Sequence, residues 1–446
     1  MNDAAVSVQR GPVRAGILVT GTEVLTGLIS DRNGPWLSER LRELGVDVAL
    51  IEIVGDRPDD LSVALEQMAS AQIDLIVTSG GLGPTADDLT AEVVAEFCGR
   101  PMVLDKDLEA RIEAIVRPAL SRWPDADVTA LIAANRKQAL IPEGATVLDP
   151  QGTAPGLVVA PLREGRRPTI VVLPGPPGEL QPMWKDAIET DLFRRATAAA
   201  TVYLTETLRL YGMPEAEIAG SLREGAANGL SLERLEITTC LRRGEIEVTT
   251  RFEPDSRGEY EALVEFLAAR HGRKLFSRDG STIDEQVAAA LLARGDTIAA
   301  AESCTGGLLT ARLTERPGSS AYVGGASVVY SNSAKSDVVD VDPLMIAEFG
   351  AVSIEVAEAL ALGVRRRFST SVGVGITGVA GPGGGTEAKP VGYVCFAAAH
   401  GAAGGESDLR VISRAVNLPG SRSAVRERAT TVAMHLLAEL VGDGEA

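Results

Sequence analysis

Histidine is nearly absent. His271, His400 and His435 are the three in 446 residues, and none lies inside a recognisable motif. This argues against a Ser-His-Asp triad or a histidine-ligated metal and moves any chemistry toward Ser, Tyr, Lys and carboxylates. Cysteine is also scarce. Cys98, Cys240, Cys304 and Cys395 lie far apart without a CxxC pair, which suggests neither a zinc site nor a disulfide framework. Basic charge is in deficit, and the net charge is -18. An acidic chain opposes nonspecific nucleic-acid binding, which needs basic groups to displace counterions. Small anions stay open as ligands, since local N–H groups and metal ions can overcome the global sign. No apolar run is long enough to span a membrane, and Met1–Arg14 holds no apolar leader core. A cytoplasmic location is the expectation.

What remains is a globular composition, 45% hydrophobic and 23% charged, in a chain long enough for two to four domains. The most informative stretch is Ala301-Glu302-Ser303-Cys304-Thr305-Gly306-Gly307, read with Tyr330-Ser331-Asn332-Ser333-Ala334-Lys335. The first follows an apolar strand from Thr297 and precedes a helical pattern at Leu308–Leu313. A serine at a strand-to-helix turn can be exposed as a nucleophile, with helix N–H groups near it to receive negative charge. The second ends another apolar strand and supplies a phenol and an amine. Those parts suffice for a nucleophile activated without imidazole. Cys304 is the rival nucleophile, since a thiolate at a helix start is also reactive.

Apolar segments at Val13–Val19, Val46–Ile53 and Ile73–Thr78 alternate with helical patterns, which predicts a doubly wound α/β domain with the third strand central and parallel. That strand runs into Gly80-Gly81-Leu82-Gly83-Pro84-Thr85-Ala86-Asp87-Asp88. Glycines admit close backbone approach to an anion, and Thr85 reads as the N-cap of the next helix. Asp87 and Asp88 would repel a phosphate unless a divalent cation lies between; the alternative is an acidic first turn that suits the helix dipole. Glu23, Asp31 and Asn33 near another strand's end favour the metal reading. Pro124–Asp127 reads as a loop, Arg136 and Lys137 as phosphate contacts or solvated charges, and Pro174–Glu179 as a second Gly/Pro loop at a strand's end.

From Thr201 to Lys274 a small α+β module follows, with a hairpin at Arg242-Arg243-Gly244 and no catalytic constellation. The α/β pattern returns at Ser281. Arg365-Arg366-Arg367 reads as a basic cluster suited to a helix C-terminus. Thr377–Thr386 is the densest glycine loop, after a strand, and suggests close approach to a phosphate or ribose. Arg422 and Arg426 share a helix face that suits a phosphate or a solvated surface.

Together these motifs resemble the CinA family (competence/damage-inducible protein A) over essentially the whole chain. Gly21-Thr22-Glu23, the Gly80–Thr90 loop, Gly152–Gly156 and Pro174–Glu179 look like the molybdopterin-binding MoaB/MogA-like fold, spanning 1–197. Residues 198–274 resemble a KH-type α+β connector. Glu302–Gly307, Tyr330–Lys335 and Thr377–Pro382 look like the nicotinamide mononucleotide deamidase (PncC) domain, spanning 275–446. The resemblance implies α/β domains flanking a small α+β one, and two activities in pyridine-nucleotide recycling. The C-terminal domain would convert nicotinamide mononucleotide to nicotinate mononucleotide and ammonia. The N-terminal domain would cleave ADP-ribose to AMP and ribose 5-phosphate with a divalent metal of the Mg, Mn or Co type, with a monovalent cation as a further candidate. No cofactor is implied for the C-terminal domain.

Carried onto this chain, the resemblance makes Ser303 the nucleophile with Tyr330 and Lys335 as partners. It gives substrate contacts to Glu302, Thr305, Gly306, Gly307 and Asn332, to Thr377, Gly378, Gly381 and Thr386, and to Arg422 and Arg426. In the N-terminal domain Asn33, Gly80, Gly81, Gly83, Thr85 and Gly175 would face the ligand, and Glu23, Asp87, Asp88 and Glu179 the metal. Glu302 would either shape the turn or touch the ligand's ribose. A homodimer is implied, with no membrane or nucleic-acid partner. Ser421 stands where many members have Asp, and Gly34-Pro35 where a helix-friendly pair is commoner. The alternatives are a nucleotide- or molybdopterin-binding regulator with one domain inactive, or molybdopterin processing by the N-terminal domain.

Overall fold

The computed structural model describes residues 12–120, 134–162, 167–403, 405 and 408–442. Pro124–Asp127 and most of Met1–Arg14 lie outside them. The chain divides into two units, Met1–Leu204 and Thr205–Ala446.

Unit 1 holds strands β1 (Arg14–Thr20), β2 (Asp47–Val54), β3 (Leu75–Ser79), β4 (Met102–Leu104), β5 (Leu140–Pro142), β6 (Thr146–Leu148), β7 (Gly156–Val159) and β8 (Thr169–Leu173). Six of them form one sheet in the order β2-β1-β3-β8-β7-β6, and β4 pairs with β5. The β2, β1, β3 and β8 neighbours are parallel, while β7 and β6 run antiparallel. Every residue of β3 is buried, as its unbroken apolar run demands of a central strand covered on both faces. Because β1, β3 and β8 are parallel and adjacent, their carboxyl ends share one edge. The loops after Thr20, Ser79 and Leu173 therefore meet there.

Two helix starts differ from expectation. The helix after the glycine loop is Thr90–Phe97, with Leu89 at its N-cap position, so Thr85 is not the cap. Thr85 instead bonds to Asp87 and Asp88 within the loop. Gly34-Pro35 lie inside the unbroken helix Asn33–Glu43. Asp31 accepts the N–H groups of Asn33 and Gly34, and a Cβ at residue 34 would meet Asp31 Oδ2 at 2.4 Å. Pro35 lies in the first turn, where a missing N–H costs no helix bond.

Unit 2 opens with β9 (Leu204–Tyr211; Leu204 itself closes unit 1), β10 (Glu236–Arg242), β11 (Glu245–Phe252) and β12 (Leu275–Ser277), a sheet in the order β10-β11-β9-β12 with helices Glu215–Ala227 and Arg257–His271. Arg242 pairs with Glu245 across the two-residue turn Arg243-Gly244. Both turn residues have positive φ, the conformation that matches strand twist in tight hairpins.

The larger sheet contains β13 (Ile298–Glu302), β14 (Val323–Val328), β15 (Val372–Gly378), β16 (Tyr393–His400) and β17 (Arg410–Asn417), in the order β14-β13-β15-β16-β17. Here β14, β13 and β15 are parallel. Their carboxyl ends again share one edge, which gathers Ser303, Tyr330 and the glycine loop. Helix Arg422–Val441 packs on this sheet with most of its residues buried. Ser421 caps it, its Oγ accepting the N–H of Ala424 at 3.4 Å, so it supplies the oxygen an aspartate would. Arg365, Arg366 and Arg367 lie in the last turn of helix Ile354–Phe368, as their reading as a C-terminal basic cluster expects, but Arg365 turns inward. It is 1% exposed and donates to the carbonyls of Ala402 and Gly405.

Candidate functional site

In unit 2, β13 delivers Ser303 to a tight turn. Gly306 and Gly307 have φ +59° and +96°, left-handed values that glycine adopts without steric cost. Glu302 organises this turn from inside. It is fully buried. Its Oε2 accepts the N–H groups of Gly307 at 2.9 Å and Leu309 at 3.1 Å, and its Oε1 accepts the N–H and hydroxyl of Thr310 at 2.8 and 2.6 Å. Of the two roles open to Glu302, the geometry matches turn-shaping, and no oxygen is left for a ribose. It also changes the charge-receiving groups. The N–H of Gly307 serves Glu302, and that of Gly306 serves Ser303's own carbonyl at 3.1 Å. Among the described residues the N–H of Thr305 has no acceptor and that of Cys304 meets only its own thiol.

Lys335 lies in the first turns of helix Asn332–Val339, directed inward and 1% exposed. Its Nζ donates to the carbonyls of Val329 at 3.0 Å and Tyr330 at 3.2 Å, and stands 3.2 Å from Ser303 Oγ. Burial pushes its pKa below the ordinary lysine value. A neutral amine has two hydrogens and one lone pair. Two carbonyl acceptors and one hydroxyl donor match that inventory. The Tyr330 phenol does not touch the amine. It is 60% exposed and accepts from Arg422 Nη2 at 3.0 Å. The main-chain carbonyl of Tyr330, rather than its ring, orients Lys335. Cys304 belongs to the hydrophobic core, and burial pushes its thiol up to about 12, so little thiolate forms.

A cleft of roughly 290 Å³ opens here. The structure brings Ser303, Tyr330, Lys335, Asn332, Thr377, Gly378, Gly381 and Arg422 to its lining, with Val379 and Ala380 of the glycine-loop motif as apolar walls and Ala351 and Val352 as walls outside every motif. It does not bring Glu302, Thr305, Gly306, Gly307, Arg426 or Thr386 there. Arg426 backs the turn instead, donating to the carbonyls of Cys304 at 3.1 Å and Thr305 at 2.9 Å. Thr377 lines the cleft while its hydroxyl donates to the Ala351 carbonyl at 2.7 Å. Thr386 bonds within its own loop, to Lys389.

Unit 1 has a cleft of roughly 320 Å³ where the three parallel strands end. Glu23, Gly80, Gly81, Gly83, Asp87, Asp88, Gly175 and Glu179 line it. Gly81 has φ +67°, and a Cβ there would meet Thr90 Oγ1 at 2.0 Å. Asn33 is buried behind the lining, and its Nδ2 donates to Ser79 Oγ at 2.8 Å and the Gly175 carbonyl at 2.6 Å. Thr85 lies outside the lining and orients the aspartates. Its bond is the main cause holding Asp87 below the usual carboxylate range. Burial raises Glu179. Arg136 pairs with Glu109 of helix Lys106–Leu120 at 2.9 Å, while Lys137 braces the loop by donating to the Thr85 carbonyl at 2.8 Å. Asp56 and Gln138 also line this cleft. Asp56 could have been found from its place just past the end of a parallel strand. Gln138 carried no signal beyond lying in a polar run.

Among the described residues, no three Asp, Glu, His or Cys side chains stand close enough to form a metal cage. The donors facing the cleft are nonetheless all oxygen. They suit a hard divalent ion held by one or two carboxylates together with a ligand's phosphates. No helix of the described residues is long and apolar enough to cross a membrane.

These features define a class: a chain with two α/β sheets that each place a cleft at the ends of parallel strands. Residues 16–194 match the family described as a probable molybdopterin binding domain, and 280–441 match the CinA C-terminal domain. The CinA-like protein of Mycobacterium sp. (strain JLS) is 57% identical over 431 residues, covering 97% of this chain and 99% of that one. The CinA-like protein of Mycobacterium tuberculosis (strain ATCC 25177 / H37Ra) is 54% identical over 427 residues, covering 95% and 96%. The chain belongs to the CinA family. Among solved structures, the competence/damage inducible protein of Agrobacterium tumefaciens is 34% identical, covering 35% of this chain and 94% of that one, with a TM-score of 0.33.

Proposed function

We propose that unit 2 hydrolyses the carboxamide of nicotinamide mononucleotide, releasing ammonia. The observation that carries this reading is the buried Lys335 amine 3.2 Å from Ser303 Oγ, with the carbonyls of Val329 and Tyr330 as its other two partners. The amine takes the Ser303 proton as Oγ attacks the carboxamide carbon. Negative charge develops on the carboxamide oxygen, and the N–H groups of Cys304 and Thr305 are the donors left to receive it. The protonated amine returns its proton to the leaving nitrogen. Water then resolves the ester with Lys335 again as base. Arg422, beside Tyr330 and Gly381, supplies a cation for the nucleotide's phosphate.

For unit 1 the proposal is metal-dependent cleavage of ADP-ribose to AMP and ribose 5-phosphate, with Asp87 or Asp88 holding a divalent ion. When bound, that ion would neutralise charge on the diphosphate. Thr85 orients the two carboxylates, and the glycine loop lets main chain approach the phosphates. The lack of a preformed three-ligand group favours a second reading for this unit, binding of a nucleotide or pterin without turnover. A homodimer belongs to the same proposal and is checked by light scattering.

Mass-spectrometric turnover of both nucleotides tests these readings. Ammonia release that survives Ser303→Ala but not Cys304→Ala would move the nucleophile to the thiol. ADP-ribose cleavage unchanged by chelator and by Asp88→Asn is incompatible with the metal proposal, and tight binding without turnover selects the second reading.

A further inference from the structure

Helix Arg422–Val441 touches two parts of unit 2 at once. Its first turns hold the candidate site: Arg422 reaches Tyr330 and Gly381, and Arg426 reaches the carbonyls of Cys304 and Thr305. Further along, His435 faces the small sheet. Its ring stacks on Tyr211 with centroids 3.6 Å apart and planes 3° from parallel, and meets Phe276 edge-on at 4.8 Å. Its Nε2 lies 2.6 Å from Glu245 Oε1, and both side chains are 9% exposed. The hairpin tip adds an ion pair, Arg243 to Glu427 at 3.6 Å. From Arg426 to His435 the helix rises about 14 Å and turns through a net half-revolution. The two side chains therefore grip opposite sides of one rod.

We propose that His435 is a latch between the small sheet and the candidate site. With its imidazole neutral and donating to Glu245, the small sheet is docked and the helix holds the 303–307 turn. With the imidazole charged, the sheet releases and the turn loosens.

The groups facing His435 are Glu245 from β11, Tyr211 from β9, Arg312 from helix Leu308–Thr314 and Arg414 from β17. Burial is the largest effect and lowers the imidazole's pKa, Glu245 raises it, and the two arginines lower it. The released imidazole therefore takes a proton more readily than the docked one. Docking is full above the ordinary histidine pKa of about 6.5 and weakens as pH falls through it toward the depressed docked value.

Hydrogen exchange by mass spectrometry on the full chain, corrected for intrinsic rates, tests this between about pH 8 and about pH 5.5. Peptides from 204–252 and from 303–310 should exchange faster together as pH falls, by at most about tenfold per pH unit for one linked proton. His435→Gln keeps a donor to Glu245 but cannot charge, and should flatten the response of 303–310. Glu245→Gln removes the carboxylate that steadies a charged imidazole and so lowers the docked value further; loosening should begin at the same pH and continue to lower pH, to a greater extent. His271 is also buried below its ordinary value, so acid loosening confined to the small sheet would belong to it. That outcome, a flat wild-type profile, or an unchanged profile in His435→Gln each overturns the proposal. None of these readouts depends on turnover, so the result stands apart from the amidase reading.

Discussion

A lysine with 1% of its surface exposed is badly placed to keep a proton, and among the described residues Lys335 bonds to no carboxylate. The expected consequence is a rate that rises with pH through a value below the ordinary lysine range, because only the neutral amine can take the Ser303 proton. A pH profile of kcat/KM for deamidation checks the sign; a rate that falls over that range would contradict it. Lys335→Met should remove the activity, by about a thousandfold or more if the pair acts as one unit. The same variant should raise thermal stability, on the order of 1 kcal/mol, by replacing a desolvated buried amine with an apolar chain. Cys304→Ala should retain activity and lose only about 1 kcal/mol of packing, since the thiol stays protonated in the core.

At the scale of elements, two turns form the candidate sites, and each has a buried polar group behind it, Glu302 in unit 2 and Asn33 in unit 1. Glu302 satisfies four donors at the start of helix Leu308–Thr314. Glu302→Gln puts an amide NH₂ where acceptors are needed, and should cost about 2–3 kcal/mol. Thermal unfolding and kcat should fall together, with KM little changed, because no substrate contact is removed. In unit 1, Gly81→Ala sets a Cβ against Thr90 in a left-handed backbone. A loss of about 1–3 kcal/mol is expected, with weaker ligand binding by calorimetry and no effect on deamidation. The motifs pointed to these turns but not to which residues face the ligand. Arg426 and Glu302 sit in motif positions, yet both face the turn's interior. Spacing in sequence says that residues are neighbours; it does not say on which side of a turn they stand.

At the scale of the whole molecule, each unit repeats one device: adjacent parallel strands end at a common edge, and the loops beyond them make a cleft. If the two clefts work independently, a chelator should abolish ADP-ribose cleavage and leave deamidation intact, while Ser303→Ala should do the reverse. Assaying both nucleotides with one preparation decides this, and a chelator that stops both would show that the proposed division is wrong.

Order along the chain was sufficient for much of this. Apolar runs separated by helical periodicity define α/β units, since only a parallel sheet buries such runs on both faces. Glycine clusters after strands mark where the clefts form, because only glycine takes the required backbone angles. Folding alone settled the rest. It turned the Tyr330 phenol outward and its carbonyl toward Lys335, placed Glu302 beneath the turn, and brought His435 against a strand that lies far from it in sequence. Those outcomes depend on which side of each element meets a neighbour, and that is decided when the sheets pack.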